Sequence, residues 1–282
     1  MTPGEILTAA GVRGFLHARR VGVGGAGTGA GDGAGDEVAL GADEPVVLSS
    51  IVKVPLVLEF ARQVAARQLD PRDRVRARAA DRLGGAGSAG CADDVEYSLR
   101  DAARLALSVS DNTAADLLFD RVGVENVRSL VAELGLARTR ISGAPRDVLG
   151  TILDDAEAGR PPRALDPAHT TASTPREMTE LLSLIWRDAA GPPEACALVR
   201  DLMGQQVNWY RLTAGFPADV AVAGKTGTMP GLRNEIGVAS YPDGTEYAIA
   251  VFTRGGAGNL RAPGIDRAIG EAARAAVEQL RA

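Results

Sequence analysis

The sequence is poor in aromatic residues, histidine and cysteine, and each shortage closes a route. Phe, Trp and Tyr make up 4% of 282 residues, so the core must rest on Ala, Val and Leu. The two histidines, His17 and His169, are too few and too far apart for a metal site or a His-based triad; both read as structural or surface residues. The two cysteines, Cys91 and Cys196, lack C-x-x-C spacing and read as free structural thiols rather than a disulfide. No apolar run nears the roughly 18 residues of a membrane span, so no membrane partner is expected. A net charge of −5 gives no reason to expect nucleic acid. The start, Met1 to Glu5, lacks the basic segment and long apolar stretch of a secretory signal, and a cytoplasmic location is the expectation.

What is present suffices for a full core, because 45% hydrophobic residues over this length support one large domain or two intimate ones. A short helix is expected over Gly4 to Ala10 and a strand over Gly14 to Ala18. The glycine-rich run Gly24 to Asp36 reads as a mobile connection to a strand at Glu37 to Leu40. Its G-x-G-x-x-A pattern is followed by no clear helix, which argues against dinucleotide binding. Leu83 to Gly87 reads as an irregular loop. Helices are expected from Ser98, from Asn112, over Val124 to Leu134, from Thr174, over about Glu194 to Met203 and over about Gly264 to Leu280. Val220 to Ala223, Glu235 to Tyr241 and Tyr247 to Thr253 read as an antiparallel meander. Between Arg138 and Ala172 the alternation fails, and a long loop is expected.

One stretch carries chemistry. Val54, Val57, Leu58, Ala61, Val64 and Ala65 form an apolar stripe at helical spacing, so about Ser50 to Leu69 is expected as a buried helix. Residues three apart share a helix face, which puts the Lys53 amine within reach of the Ser50 hydroxyl. The Ser50 N–H would project from a helix N-terminus, where developing negative charge is favoured. A partly desolvated lysine with a lowered pKa can take the proton of a serine nucleophile. Ser110-Asp111-Asn112 comes sixty residues on, and Lys225-Thr226-Gly227-Thr228 another 115 beyond it. This order of S-x-x-K, S-D-N and K-T-G resembles the serine β-lactamases and penicillin-binding proteins. From about residue 10 onward the chain is similar to the class A β-lactamases. Thr174-Pro175-Arg176-Glu177-Met178 resembles their T-P-x-x-M helix start, and Gly231 to Val238 their strand after K-T-G.

The resemblance implies an α+β fold. An antiparallel sheet from both termini, flanked by helices, would span 1–49 and 205–282; an inserted all-helical domain would span 50–204, with 138–172 as a long active-site loop. Ser50 would attack a carbonyl and become acylated, with Lys53 as its base or electrostatic partner. Ser110, helped by Lys225, would relay a proton to the leaving nitrogen. The backbone N–H groups of Ser50 and Thr228 would hold the oxyanion. Thr226, Thr228 and Arg233 would bind a substrate carboxylate, and Asn112 a substrate amide or Lys53. No cofactor and no metal is implied; the partner is a small molecule, a β-lactam or another acyl donor. Such enzymes normally work outside the cytoplasm, which contrasts with the missing signal.

The loop departs from the family. Class A enzymes carry a glutamate there, in E-x-x-L-N, that activates the water releasing the acyl group. Aligning Leu149 with the motif leucine puts Arg146 at the glutamate's place and Gly150 at the asparagine's. Asp147 is the nearest carboxylate, one position out and one methylene shorter, and is the expected substitute. Three functions follow from the same acyl-enzyme: hydrolysis, transfer to an amine or alcohol as in a transpeptidase, and lactam binding without turnover.

Overall fold

The computed structural model describes residues 1–22, 37–255 and 261–282, and local signals start most of its elements. Thr2 and Glu5 cap helix α1 (Pro3–Ala9) reciprocally. Strands β1 (Arg13–Arg20), β2 (Glu37–Leu40) and β3 (Val46–Val47) follow. A 3-10 turn, Ser49–Val52, runs straight into α2 (Lys53–Ala65), which stops short of Leu69 because Arg67 turns left-handed at φ 59°. Strands β4 (Arg74–Ala77) and β5 (Val95–Ser98) pair on either side of the Leu83 to Gly87 segment. Ser98 caps α3 (Leu99–Ser108), Asp111 caps α4 (Asn112–Val122), and α5 (Val124–Glu133) comes next.

The stretch expected as a long loop contains a helix, α6 (Pro145–Glu157). Pro145 sits in its first turn, the Asp147 carboxylate accepts the Ala144 N–H, and Val148, Leu149 and Ile152 share one face. Gly150 in mid-helix and the surrounding prolines and acids hid that spacing. Then come β6 (Ala172–Ser173), α7 (Pro175–Trp186) capped by Thr174, α8 (Pro193–Gly204), α9 (Leu212–Gly215), β7 (Ala221–Met229), β8 (Leu232–Ser240), β9 (Glu246–Arg254) and α10 (Pro263–Arg281). The K-T-G residues were expected after a strand; they lie inside β7, which pairs with β8 through Met229↔Leu232.

The main sheet has the order β2-β1-β9-β8-β7, all antiparallel, so strands from the two ends of the chain meet at its centre. β8 and β9 are buried almost throughout because both faces are covered. Alternate residues go to opposite layers: Leu16, Ile249 and Val251 pack with Ile269, Ala273 and Val277 of α10, while Phe15, Ile236 and Phe252 join the core around α2. Helix α7, numbered with the helical part by the sequence reading, packs on β1 and β9, and its Thr179 hydroxyl lies 2.6 Å from His17 Nδ1. Cys91 is exposed and Cys196 buried, and both are free. No helix among the described residues is long and apolar enough to cross a membrane. The glycine run Gly24 to Asp36 lies outside the described residues.

Candidate active site

Ser50 stands in the 3-10 turn ahead of α2, half-buried, and its hydroxyl has no hydrogen-bond partner among the described residues. The neighbouring Ser49 takes a left-handed φ of 51°, a strained conformation for a residue with a side chain, and donates its hydroxyl to Thr228 O at 3.2 Å. That bond ties the turn to the outer edge of β7. A Cβ on Gly227 would lie 2.6 Å from Leu48 O, so only glycine lets strand and turn come this close. Thr226 donates its backbone N–H off this edge to Gln206 Oε1 at 2.7 Å. By the two-residue period of a strand, the Thr228 N–H faces the same edge, toward Ser50.

The structure redirects Lys53. Instead of bonding Ser50, its amine donates to Ser110 O at 2.7 Å, Asn112 Oδ1 at 2.8 Å and Ser110 Oγ at 3.3 Å. Polar acceptors on the S-D-N loop, brought against α2 by the fold, capture the amine. Lys225, on β7, donates to the same Ser110 Oγ at 2.9 Å and to Thr226 O at 2.9 Å. Both lysines are fully buried. Burial lowers Lys53 to about 7 against the opposing pull of the Asp111 and Asp116 carboxylates. Burial, followed by the nearby Lys53 charge, holds Lys225 well below its ordinary range. Two amines sharing one hydroxyl in a dry site cannot both carry a proton comfortably, and that is how a neutral amine exists near pH 7.

Ser110 is itself left-handed at φ 61°, held there by Asp111. The buried Asp111 carboxylate accepts Ser88 N at 2.7 Å, Ser88 Oγ at 2.8 Å and Ala114 N at 3.0 Å. A Cβ on Gly87 would strike Asp111 Oδ2 at 2.3 Å, so that glycine is part of the clamp.

Behind β7 stand residues the sequence reading passed over. Asn208 donates to Thr226 Oγ1 at 3.0 Å. Gln206 bridges Thr226 to Glu235, a buried carboxyl that burial pushes up to about 6. Arg211, fully buried, donates to Thr228 Oγ1 at 2.8 Å, Asn234 O at 2.7 Å and Asp266 Oδ1 at 2.7 Å. Arg233, expected at the substrate, instead grips Asp266 through two bonds of 2.7 and 2.6 Å; its strand register aims it at α10. Arg211 is therefore the cation that reaches the K-T-G strand. Arg211 had no sequence signal, and the place of Arg233 was misjudged, because both depend on Asp266 from the far end of the chain. Asp266→Ala leaves two buried guanidinium groups short of a counter-charge and is expected to cost about 3–5 kcal/mol in denaturant unfolding.

A cleft of about 180 Å³ opens beside Ser50, between the turn, Asn112, Thr170, Thr171 and Thr228 on one side and Gly143, Pro145, Val148, Leu149 and Ile152 on the other. The α6 wall is apolar. Asp147 does not line this cleft: it is exposed and spends its carboxylate on the Ala144 N–H at the start of its own helix. The structure thus removes Asp147 from the site, because a helix start satisfies the carboxylate locally. Asp147→Asn is expected to leave the release rate of any acyl group unchanged, and Asp147→Ala to lower stability by about 0.3–1 kcal/mol. Release kinetics and thermal unfolding check the two together.

A model of the beta-lactamase enzyme family matches residues 27–280. The chain is 28% identical over 280 residues to the beta-lactamase regulatory protein BlaB of Streptomyces cacaoi, covering 88% of this chain and 89% of that one. It is 31% identical over 180 residues to the carbapenem-hydrolyzing beta-lactamase KPC of Klebsiella oxytoca, covering 62% of this chain and 56% of that one. The crystal structure of a beta-lactamase from Sphaerobacter thermophilus superposes with a TM-score of 0.79 at 26% identity, covering 99% of this chain and 97% of that one.

Proposed function

This chain belongs to the beta-lactamase enzyme family and is a serine β-lactamase-like enzyme, and we propose that it opens a lactam ring through an ester on Ser50. The observation that carries this reading is the convergence of two buried amines, Lys53 and Lys225, on Ser110 beside the unpaired Ser50 hydroxyl. Ser50 Oγ bonds the lactam carbonyl carbon as its proton passes to neutral Lys53. The oxyanion lies between the Ser50 and Thr228 N–H groups and is stabilised there. As the C–N bond breaks, the nitrogen takes the Ser110 hydroxyl proton, which the Lys53 ammonium replaces. Thr226 and Thr228, with Arg211 behind them, offer two hydroxyls and a positive field to a substrate carboxylate.

A second reading, in which the ester persists, is favoured by the apolar α6 wall, which brings no carboxylate to the cleft. Intact-protein mass followed over time with penicillin G tests both. An added mass on the Ser50 peptide that decays supports hydrolysis, one that endures supports retention, and no added mass overturns the Ser50 ester.

A further inference from the structure

Three carboxylates act on the two buried lysines, and two are fully engaged. Asp111 is spent on Ser88 and Ala114, and Glu235 on Gln206 and the Leu212 N–H. Asp116 differs. It is 4% exposed on α4, one turn beyond Asn112 and on the same face, and Asn112 Oδ1 is the acceptor that holds the Lys53 amine. Its Oδ1 accepts the Arg146 N–H at 3.1 Å and its carbonyl accepts Arg146 Nη2 at 3.3 Å, while its Oδ2 has no hydrogen-bond partner among the described residues. Arg146 also pairs with Asp120. Asp116 therefore joins the apolar α6 wall to the lysine end of the site.

We propose that Asp116 is a positioning residue for the acylation step, the counter-charge that the Lys53 ammonium faces after it takes the Ser50 proton. The proposal rests on the Ser50 ester reading. The charged groups around the pair are Lys53 on α2, Asp111 and Asp120 at either end of α4, Arg146 on α6 and Lys225 on β7. Burial raises Asp116 to about 6, below the value of about 7 for Lys53, so the carboxylate is mostly ionised by the pH at which Lys53 is half neutral. Its negative charge holds the ammonium in place; without it Lys53 loses its proton at lower pH.

The test is the pH dependence of the acylation rate, measured by intact-protein mass with penicillin G between about pH 5 and 9. In the parent protein the rate rises as Lys53 becomes neutral. In Asp116→Asn, whose amide oxygen still accepts the Arg146 N–H, the midpoint is expected to move down by about one pH unit. Asp120→Asn, which loosens the same Arg146 anchor farther from the lysine, is expected to leave the midpoint in place. Asp116→Ser, a second neutral replacement, supplies the same reading should the asparagine variant not fold. A midpoint that stays put or rises in both neutral variants, with acylation intact, overturns the role of Asp116 alone. No acylation of the parent protein at any pH overturns the Ser50 reading and this inference with it.

Discussion

Ser50→Ala will show no added mass after incubation with a β-lactam that labels the parent protein. The Ser50 hydroxyl is half-buried and has no hydrogen-bond partner among the described residues, so its removal orphans nothing. Stability should therefore stay within about 0.5 kcal/mol of the parent, which separates loss of chemistry from loss of fold. Two other hydroxyls stand close by, on Ser49 and Ser110, each already committed: Ser49 to Thr228 O, and Ser110 to the two amines. Labelling that survived in Ser50→Ala would move the nucleophile to one of them. Peptide mapping of any residual adduct decides between the two.

Lys53→Met will slow acylation by about 10²- to 10⁴-fold, the range a positioned general base supplies. The sign of the pH effect follows from the lowered lysine. Only the neutral amine can take the Ser50 proton, and Lys53 loses its own proton near 7, so the parent rate climbs as pH rises through about 7. The methionine variant should be flat there. Methionine leaves the partly buried Ser110 O and Asn112 Oδ1 without the amine's donors, which costs at most about 1–3 kcal/mol for each acceptor that water does not reach. Relief from burying an ionisable amine offsets part of that cost. The variant is expected to fold, and thermal unfolding beside the rate profile shows whether a slow rate reflects lost chemistry.

The order of the three motifs was legible in the residues, because it depends on residue types and their spacing. So were the caps at Ser98 and Thr174, where a short polar side chain meets its own helix. Helix α6 was written there too, in Pro145, Asp147 and the Val148, Leu149, Ile152 spacing, but Gly150 and the acids around it obscured the period. The direction of Lys53 was not legible: S-x-x-K spacing brings Ser50 and Lys53 to one face, but the acceptors that take the amine, Ser110 O and Asn112 Oδ1, come from a distant loop.

What sequence alone determined is local: the helix starts, the alternation along the strands, the three motifs and the absence of a glutamate where a class A enzyme carries one. What only tertiary structure decided is which charged groups share a dry space. Lys53 and Lys225 lie 172 positions apart in the chain and meet at one serine hydroxyl. Arg211 and Arg233 are drawn to Asp266 on the last helix, and Asp116 is brought beside Lys53 while Asp147 is left at the surface. Burial sets the protonation of Lys53, Lys225 and Asp116, and burial is a property of how distant segments pack, which residue types and spacing do not show on their own.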